Sequence, residues 1–177
     1  MAKTQGFTLI EVLVGLAILA VLLTLVSYSM NPFMAQQRVR AYAQSLSGHL
    51  NMARSTAIEK QKQVVLCPST AALRCEPGLY WQKSWIAFID ANVNFDYDAG
   101  DVLLHQVKRT ANDLVVKTSK NRNKLIYRSD GTSPGSNLSF SICSASGVGK
   151  PQAVIVSNVG RIRMADKLPN NQPITCI

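Results

Sequence analysis

Histidine is scarce in this chain: among 177 residues there are two, His49 and His105. The four cysteines, Cys67, Cys75, Cys143 and Cys176, contain no Cys-x-x-Cys pair. The ligand spacings of a structural zinc site are therefore missing, and disulfides are the preferred reading. No nucleophile stands in a pattern with a base and an acid, so the chain reads as a non-enzyme. Gly147-Val148-Gly149-Lys150 lacks the phosphate-loop spacing and receives no nucleotide role. Internal repeats and low-complexity linkers are also missing.

Acidic side chains are few as well, 10 against 19 Lys and Arg, for a net charge of +9. The deficit is uneven. From Lys108 to Ile177 there are 11 basic and 3 acidic residues, a net +8. Such asymmetry calls for an anionic partner: nucleic acid, lipid headgroups or acidic polysaccharide. The acids gather instead in Asp90–Asp101, where Asp90, Asn92, Asn94, Asp96, Asp98 and Asp101 alternate oxygen side chains. A calcium loop of the EF-hand type wants Gly at its sixth position and Glu at its twelfth, and here Phe95 and Asp101 stand there. A polar hairpin loop is the preferred reading. No cofactor is expected, with calcium at Asp90–Asp101 kept as a secondary alternative.

Charge is entirely missing from Val12 to Val26, where only Thr24 is polar. The apolar band from Phe7 to Met30 meets the length a bilayer requires, about 20 residues at ~1.5 Å each. Six residues precede it, MAKTQG, with Lys3 as their positive charge. A basic flank predicts a cytoplasmic N-terminus, with residues 31–177 across the membrane. After Val26 the chain reads Ser27-Tyr28-Ser29-Met30-Asn31-Pro32, with no Ala-x-Ala site for signal peptidase. The band reads as a retained membrane helix over 7–30. An oxidising compartment beyond it permits disulfides. Four cysteines allow three pairings, of which local pairing favours Cys67–Cys75 and Cys143–Cys176.

Asn31-Pro32 marks a kink or a junction. Beyond it Val39, Tyr42, Ala43, Leu46, Leu50, Ala53 and Ala57 recur at spacings of three and four, with Arg38, Arg40, Gln44, Ser47, Asn51 and Arg54 between them. This predicts an amphipathic helix whose apolar stripe covers a sheet, with His49 at its boundary. Joined to the membrane part it makes a spine from Phe7 to Glu59, roughly 80 Å long if continuous. Strands are expected at Gln63–Cys67, Tyr80–Asp90, Val102–Val107, Leu114–Thr118, Lys124–Arg128, Asn137–Cys143, Ala153–Ser157 and Arg161–Met164. In Leu138-Ser139-Phe140-Ser141-Ile142 the alternation reads as a half-buried strand. Turn signals separate the strands at Asp130-Gly131, Ser133-Pro134-Gly135, Gly147-Val148-Gly149 and Asn158-Val159-Gly160. The expected class is α+β, a long N-terminal helix packed on antiparallel β-sheets. Its divisions are 1–6, 7–30 and 31–177, the last helical to about 60 and β-rich after that.

One residue in the apolar band is out of place. Glu11 carries a carboxylate that costs several kcal/mol in hydrocarbon unless it finds a partner. The surrounding stretch Gly6-Phe7-Thr8-Leu9-Ile10-Glu11 resembles the prepilin signature of type IV pilins and type II secretion pseudopilins. The resemblance implies a pilin-like fold, a leader of residues 1–6 and cleavage between Gly6 and Phe7 by a prepilin peptidase. It also implies methylation of the new terminus, with Glu11 neutralising the terminal amine of a neighbouring subunit. The subunit would sit in the bacterial inner membrane as a single-pass protein with a periplasmic domain, then enter a surface fibre with other pilins.

The distal sequence resembles one branch of that family. Trp85-Ile86-Ala87-Phe88-Ile89-Asp90 with the acidic loop after it, and Ala153-Val154-Ile155-Val156-Ser157-Asn158-Val159-Gly160-Arg161-Ile162-Arg163, are similar to the GspH/FimT group. Members are minor pseudopilins of the type II secretion pseudopilus or minor pilins of type IV pili. In some of the latter a C-terminal Gly-Arg-x-Arg motif is associated with DNA uptake in natural transformation. Here that motif is Gly160-Arg161-Ile162-Arg163. On a strand Arg161 and Arg163 share a face and can grip successive phosphates, while Gly160 permits a tight turn and close approach to a ligand. Lys117, Lys120, Arg122 and Lys124 around the loop Thr118–Asn123, with Lys150 and Lys167, are the expected supporting charges. Apart from Tyr127 and Phe140 few aromatics interleave with them, which disfavours stacking on single strands. The expected partner is double-stranded DNA held non-specifically through its phosphates. The alternative function is a tip or priming subunit that only builds the fibre.

Overall fold

The computed structural model describes residues 6–69, 73–78, 80–108 and 113–176, with the side chains of 25–29 and 170 left aside. Leader residues 1–5, including Lys3, lie outside the described residues.

Helix α1 spans Leu9–Lys60, 52 residues. Thr8 starts it as N-cap, its hydroxyl accepting from the Glu11 N–H at 3.4 Å. Pro32 lies inside the helix. It removes one backbone bond there, yet the helix continues, so no helix end falls at Asn31-Pro32. The C-terminus stops at Gln61, left-handed at φ 54, whose side chain and backbone N–H both turn back to the Ile58 carbonyl. Among the described residues, no helix is long and apolar enough to cross a membrane. The expected membrane stretch 7–30 includes side chains 25–29, which lie outside the description.

Two four-stranded antiparallel sheets pack on the distal half of α1. The first has β1 (Gln63–Pro68), β2 (Ser84–Asp90), β3 (Val102–Lys108) and β5 (Leu125–Tyr127) in the order β3-β2-β1-β5. The second has β4 (Leu114–Thr118), β6 (Leu138–Ser144), β7 (Gln152–Val156) and β8 (Ile162–Ala165) in the order β4-β6-β7-β8. A long helix packed on antiparallel sheets is the expected α+β class.

The helix stripe forms the core. Val39, Ala43, Leu46, Leu50, Ala53 and Ala57 are 0–2 % exposed and meet Trp81, Trp85, Leu125, Tyr127, Phe140 and Val154. Burying a large apolar side chain contributes about 1.5–3 kcal/mol, so this stripe is what holds the helix to both sheets.

The predicted strand Tyr80–Asp90 proves to be two pieces. Only Ser84–Asp90 pairs within the first sheet. Tyr80 instead forms a bridge with Lys117, and the Trp81 N–H donates to the Val116 carbonyl at 2.8 Å. An extended β-favouring run hides a change of sheet, because propensity does not say which edge a strand joins.

A second correction concerns β6. Its serines were expected on a wet face, but Ser139 and Ser141 are 8 % and 6 % exposed. The C-terminal segment crosses the outside of the second sheet, where Ile174 and Leu168 pack on Ala153 and Ile155. A disulfide between Cys143 and Cys176 ties that segment down. Cys67 and Cys75 pair likewise on the outer face of the first sheet, beside Val65, Ile86 and Phe88. Both bonds are the local pairs.

Candidate functional site

The C-terminal segment leaves part of the second sheet's outer face open. Between it and the loop after β4 runs a groove of about 890 Å³. Ser139, Ser141 and Ile155 line it from the strands, and Leu168, Pro169, Gln172 and Pro173 from the C-terminal segment. Among the described residues, Lys117, Lys120, Arg122 and Arg163 bring cationic groups to it, and no acidic side chain lines it. Asn137, Asn158 and Ser119 add neutral hydrogen-bonding groups.

Each cation is placed by its backbone. Lys117 lies opposite Ser141 in the β4–β6 register, so both project to the groove side. Its ammonium stands 5.7 Å from the centre of the Tyr80 ring. Arg122 is steadied by donating to the Gly135 carbonyl. Arg163 lies opposite Ile155 on β8, at the sheet edge. Arg161 stands just before that strand: its carbonyl accepts from the Ser157 N–H at 3.0 Å, closing the turn. A second hollow of about 460 Å³ is lined by Ile155, Ser157, Val159, Arg161 and Arg163. It shares Ile155, Ser157 and Arg163 with the groove, so the two hollows adjoin, with Arg163 lining both and Arg161 only the second.

Three of the expected residues stand elsewhere. Lys124 reaches the acidic loop, where its ammonium lies 2.8 Å from Asp96 and 2.6 Å from the Phe95 carbonyl. Lys150 sits by the lower helix, its N–H donating to Gln36 Oε1 at 2.5 Å. Lys167 is exposed beside the groove wall without lining it.

Gly160 makes the expected tight turn, its N–H donating to the Ser157 carbonyl at 2.8 Å. Its φ is +74, and a Cβ there would meet the Gly131 carbonyl oxygen at 1.9 Å. The close approach that glycine permits is to this protein's own turn. Arg54, unremarked in the sequence beyond its polar face, holds the same place from α1 through Gly131 and Val159.

The aromatics also differ. Tyr127 and Phe140 are 0 % exposed and cannot stack on bases. Burial pushes the Tyr127 phenol up from its ordinary value. Tyr80, 48 % exposed, is the aromatic that faces the Lys117 ammonium. The serines of β6 carried the only sequence signal for the groove floor, and alternation alone reads as a wet face.

In the acidic loop the carboxylates are engaged by local donors. Asp90 accepts from the Asn94 and Phe95 N–H groups and from Gln63. Asp101 accepts from the Ala91 and Asp98 N–H groups. Donation from Asn92, Gly100 and Asn94 holds the Asp98 carboxyl below its ordinary value. Among the described residues, no cluster of three His, Cys, Asp or Glu could hold a metal ion. Glu11 is exposed on the proximal helix, and among the described residues no cation pairs with it.

Residues 42–160 match the family described as type II transport protein GspH, and residues 1–27 match the prokaryotic N-terminal methylation motif. No curated protein matches the chain significantly in sequence. The fold is similar to that of the type IV minor pilin FimU of Pseudomonas aeruginosa, with TM-score 0.59 and 19 % identity, covering 78 % of this chain and 98 % of that one. It is also similar to the minor pseudopilin EpsH of the Vibrio cholerae type 2 secretion system, with TM-score 0.52 and 14 % identity, covering 72 % and 96 %.

Proposed function

We propose a function for a chain that belongs to the GspH family of type II transport proteins and begins with a prokaryotic N-terminal methylation motif: it is a minor pilin of a type IV pilus that holds extracellular double-stranded DNA for uptake in natural transformation. The leader 1–6 is removed after Gly6 by a prepilin peptidase, and Phe7 becomes the methylated terminus. Residues 7–30 hold the precursor in the bacterial inner membrane as a single pass, with the domain in the periplasm. Glu11 then neutralises the terminal amine of a neighbouring pilin as the fibre forms.

The observation that carries the DNA reading is the pair of adjoining hollows lined by Arg161, Arg163, Lys117, Lys120 and Arg122, with no acidic side chain among the described residues that line them. A sugar–phosphate ridge of a duplex presents a row of anionic oxygens, which guanidinium forks bind in charge-assisted pairs. The neutral serine and asparagine groups add bonds to phosphate and sugar, which carry no sequence information. Binding of this kind is indifferent to sequence and weakens steeply with salt.

The test is binding of the full chain in detergent to a labelled duplex across a salt series, beside Arg161→Gln/Arg163→Gln. Salt-sensitive binding by the wild type and its loss in the double variant are expected. Equal binding by both proteins, or none at low salt, overturns the DNA reading.

A second reading, an assembly subunit of a pilus or secretion pseudopilus, is favoured by one observation: the proximal helix exposes its apolar residues and Glu11 together. On that reading Glu11→Ala stops fibre formation, while Arg161→Gln/Arg163→Gln leaves every function of the fibre intact.

A further inference from the structure

Lys150 belongs to the basic half of the sequence but stands apart from the groove. It ends the turn Gly147–Lys150, which is fixed to α1 at Gln36. The Lys150 N–H donates to Gln36 Oε1 at 2.5 Å, and a Cβ on Gly149 would stand 3.3 Å from the Gln36 nitrogen. Val148 lines a cleft of about 390 Å³ with Asn31, Met34 and Ala35. The turn therefore reaches down beside the first helical turn beyond Met30.

That height decides its surroundings. Gln36 lies six residues past Met30, which at ~1.5 Å per residue is about 9 Å above the end of the apolar stretch. Asn31 is about 1.5 Å above it on the same count. The polar layer of each leaflet is about 5–8 Å deep, so Val148, beside Asn31, Met34 and Ala35, stands at headgroup height. Lys150 is attached at the layer's outer edge, with its long side chain able to reach down. The turn's chemistry matches. Phe33, Met34 and Val148 are 54 %, 45 % and 40 % exposed. The charged residues of helix positions 31–40, of the turn and of the cleft are Arg38, Arg40, Lys150 and Asp113. Arg38 is paired with Asp113 at 2.5 Å, which leaves Arg40 and Lys150 as an uncompensated pair of exposed cations. Phe33, Gln36 and Arg40 share a helix face by their spacing of three and four.

We propose that this foot of the domain is a docking surface for anionic phospholipid. Lys150 and Arg40 meet headgroup phosphates, and Val148 and Phe33 rest at the acyl boundary. The contact holds the domain in one pose on the membrane until the subunit enters a fibre. Each basic residue near an anionic surface strengthens such a contact about fivefold. The inference rests on the reading that residues 7–30 anchor the precursor.

The test uses the full chain in nanodiscs of phosphatidylcholine alone and of phosphatidylcholine with phosphatidylglycerol, with hydrogen exchange read over residues 145–152. Exchange at least fivefold slower in the anionic discs is expected, with Lys150→Glu returning it to the neutral-disc rate. Equal exchange in both discs overturns the docking surface. Protection that rises with the number of chains per disc, whatever the lipid, assigns the foot to a second copy and overturns it too. A chain that does not incorporate into discs overturns the anchor as well. Incorporation with an unprotected turn overturns the docking alone.

Discussion

Arg54 on α1 donates from Nε to the Gly131 carbonyl at 2.9 Å, joining residues 77 positions apart. Its Nη2 donates to the Val159 carbonyl at 3.1 Å. Two turns are thereby clasped to the helix just ahead of β8, and Gly160 closes against the same Gly131 carbonyl. The clasp ends at Gly160, the residue before Arg161.

Removing the clasp has a graded cost. Arg54→Ala loses two charged hydrogen bonds, and we expect a loss of about 2–3 kcal/mol. Gly160→Ala adds a clash to an unfavourable backbone conformation, and we expect more than about 3 kcal/mol. Gly135→Ala, at φ +73 with open space around its Cβ position, should cost only the conformational part, about 1–2 kcal/mol. Urea midpoints at unchanged slope measure all three. Equal costs for the two glycines would show that the Gly131 contact relaxes away.

The disulfides should differ in both stability and function. Cys143–Cys176 spans 33 residues and Cys67–Cys75 spans 8. Loop-closure entropy then gives about 3.7 kcal/mol for the longer and about 2.5 for the shorter. The longer bond also pins the groove wall. Cys143→Ser/Cys176→Ser should weaken duplex binding under conditions where it remains folded. Cys67→Ser/Cys75→Ser should leave it unchanged, as fluorescence titration would report.

Salt dependence sorts the basic residues by place. Each phosphate contact contributes about −0.9 to the slope of log affinity against log salt. Arg161→Gln/Arg163→Gln should therefore flatten the slope by about 2 if any binding remains. Lys124→Gln, whose ammonium is held by Asp96 and the Phe95 carbonyl, should leave the slope where it was. A change at Lys124 as large as at Arg163 would place the DNA path on the other sheet.

His49 makes the domain acid-sensitive. Its ring stacks on His105 at 4.2 Å between centroids and meets Trp85 edge-on. Desolvation, then the charge of His105, lowers its pKa from 6.5. Below 6.5 the unfolded chain binds the proton more readily than the folded one, so stability falls as pH drops through that value and is full above it. Urea midpoints at pH 7.5 and 5.5 should differ in the wild type. The difference should shrink in His49→Gln, and an undiminished difference would assign the effect to another group.

Much of this protein is written locally. The stripe Val39, Ala43, Leu46, Leu50, Ala53 and Ala57 reads as one helix face because 3.6-residue periodicity is a property of neighbours in sequence, and all six are buried. The eight strands are placed within a few residues for the same reason, their period of two and their turn residues being local signals. The prepilin signature likewise lies in one contiguous stretch, and the methylation-motif match over residues 1–27 agrees with it. Disulfide partners close in sequence fall in this class too.

What the tertiary structure decided are relations between segments far apart in the chain. Tyr80 and Trp81 belong to the second sheet rather than the first because β4 offers them an edge, and edges have no sequence signature. The β6 serines became a groove floor only when the C-terminal segment crossed the sheet outside them. The basic residues were counted together in sequence, yet pairing with Asp96 drew Lys124 to the first sheet, and the Gln36 contact set Lys150 at the foot of the helix. Net charge is a sum over the chain, whereas a binding face depends on which charges share a surface, and chain crossings fix that.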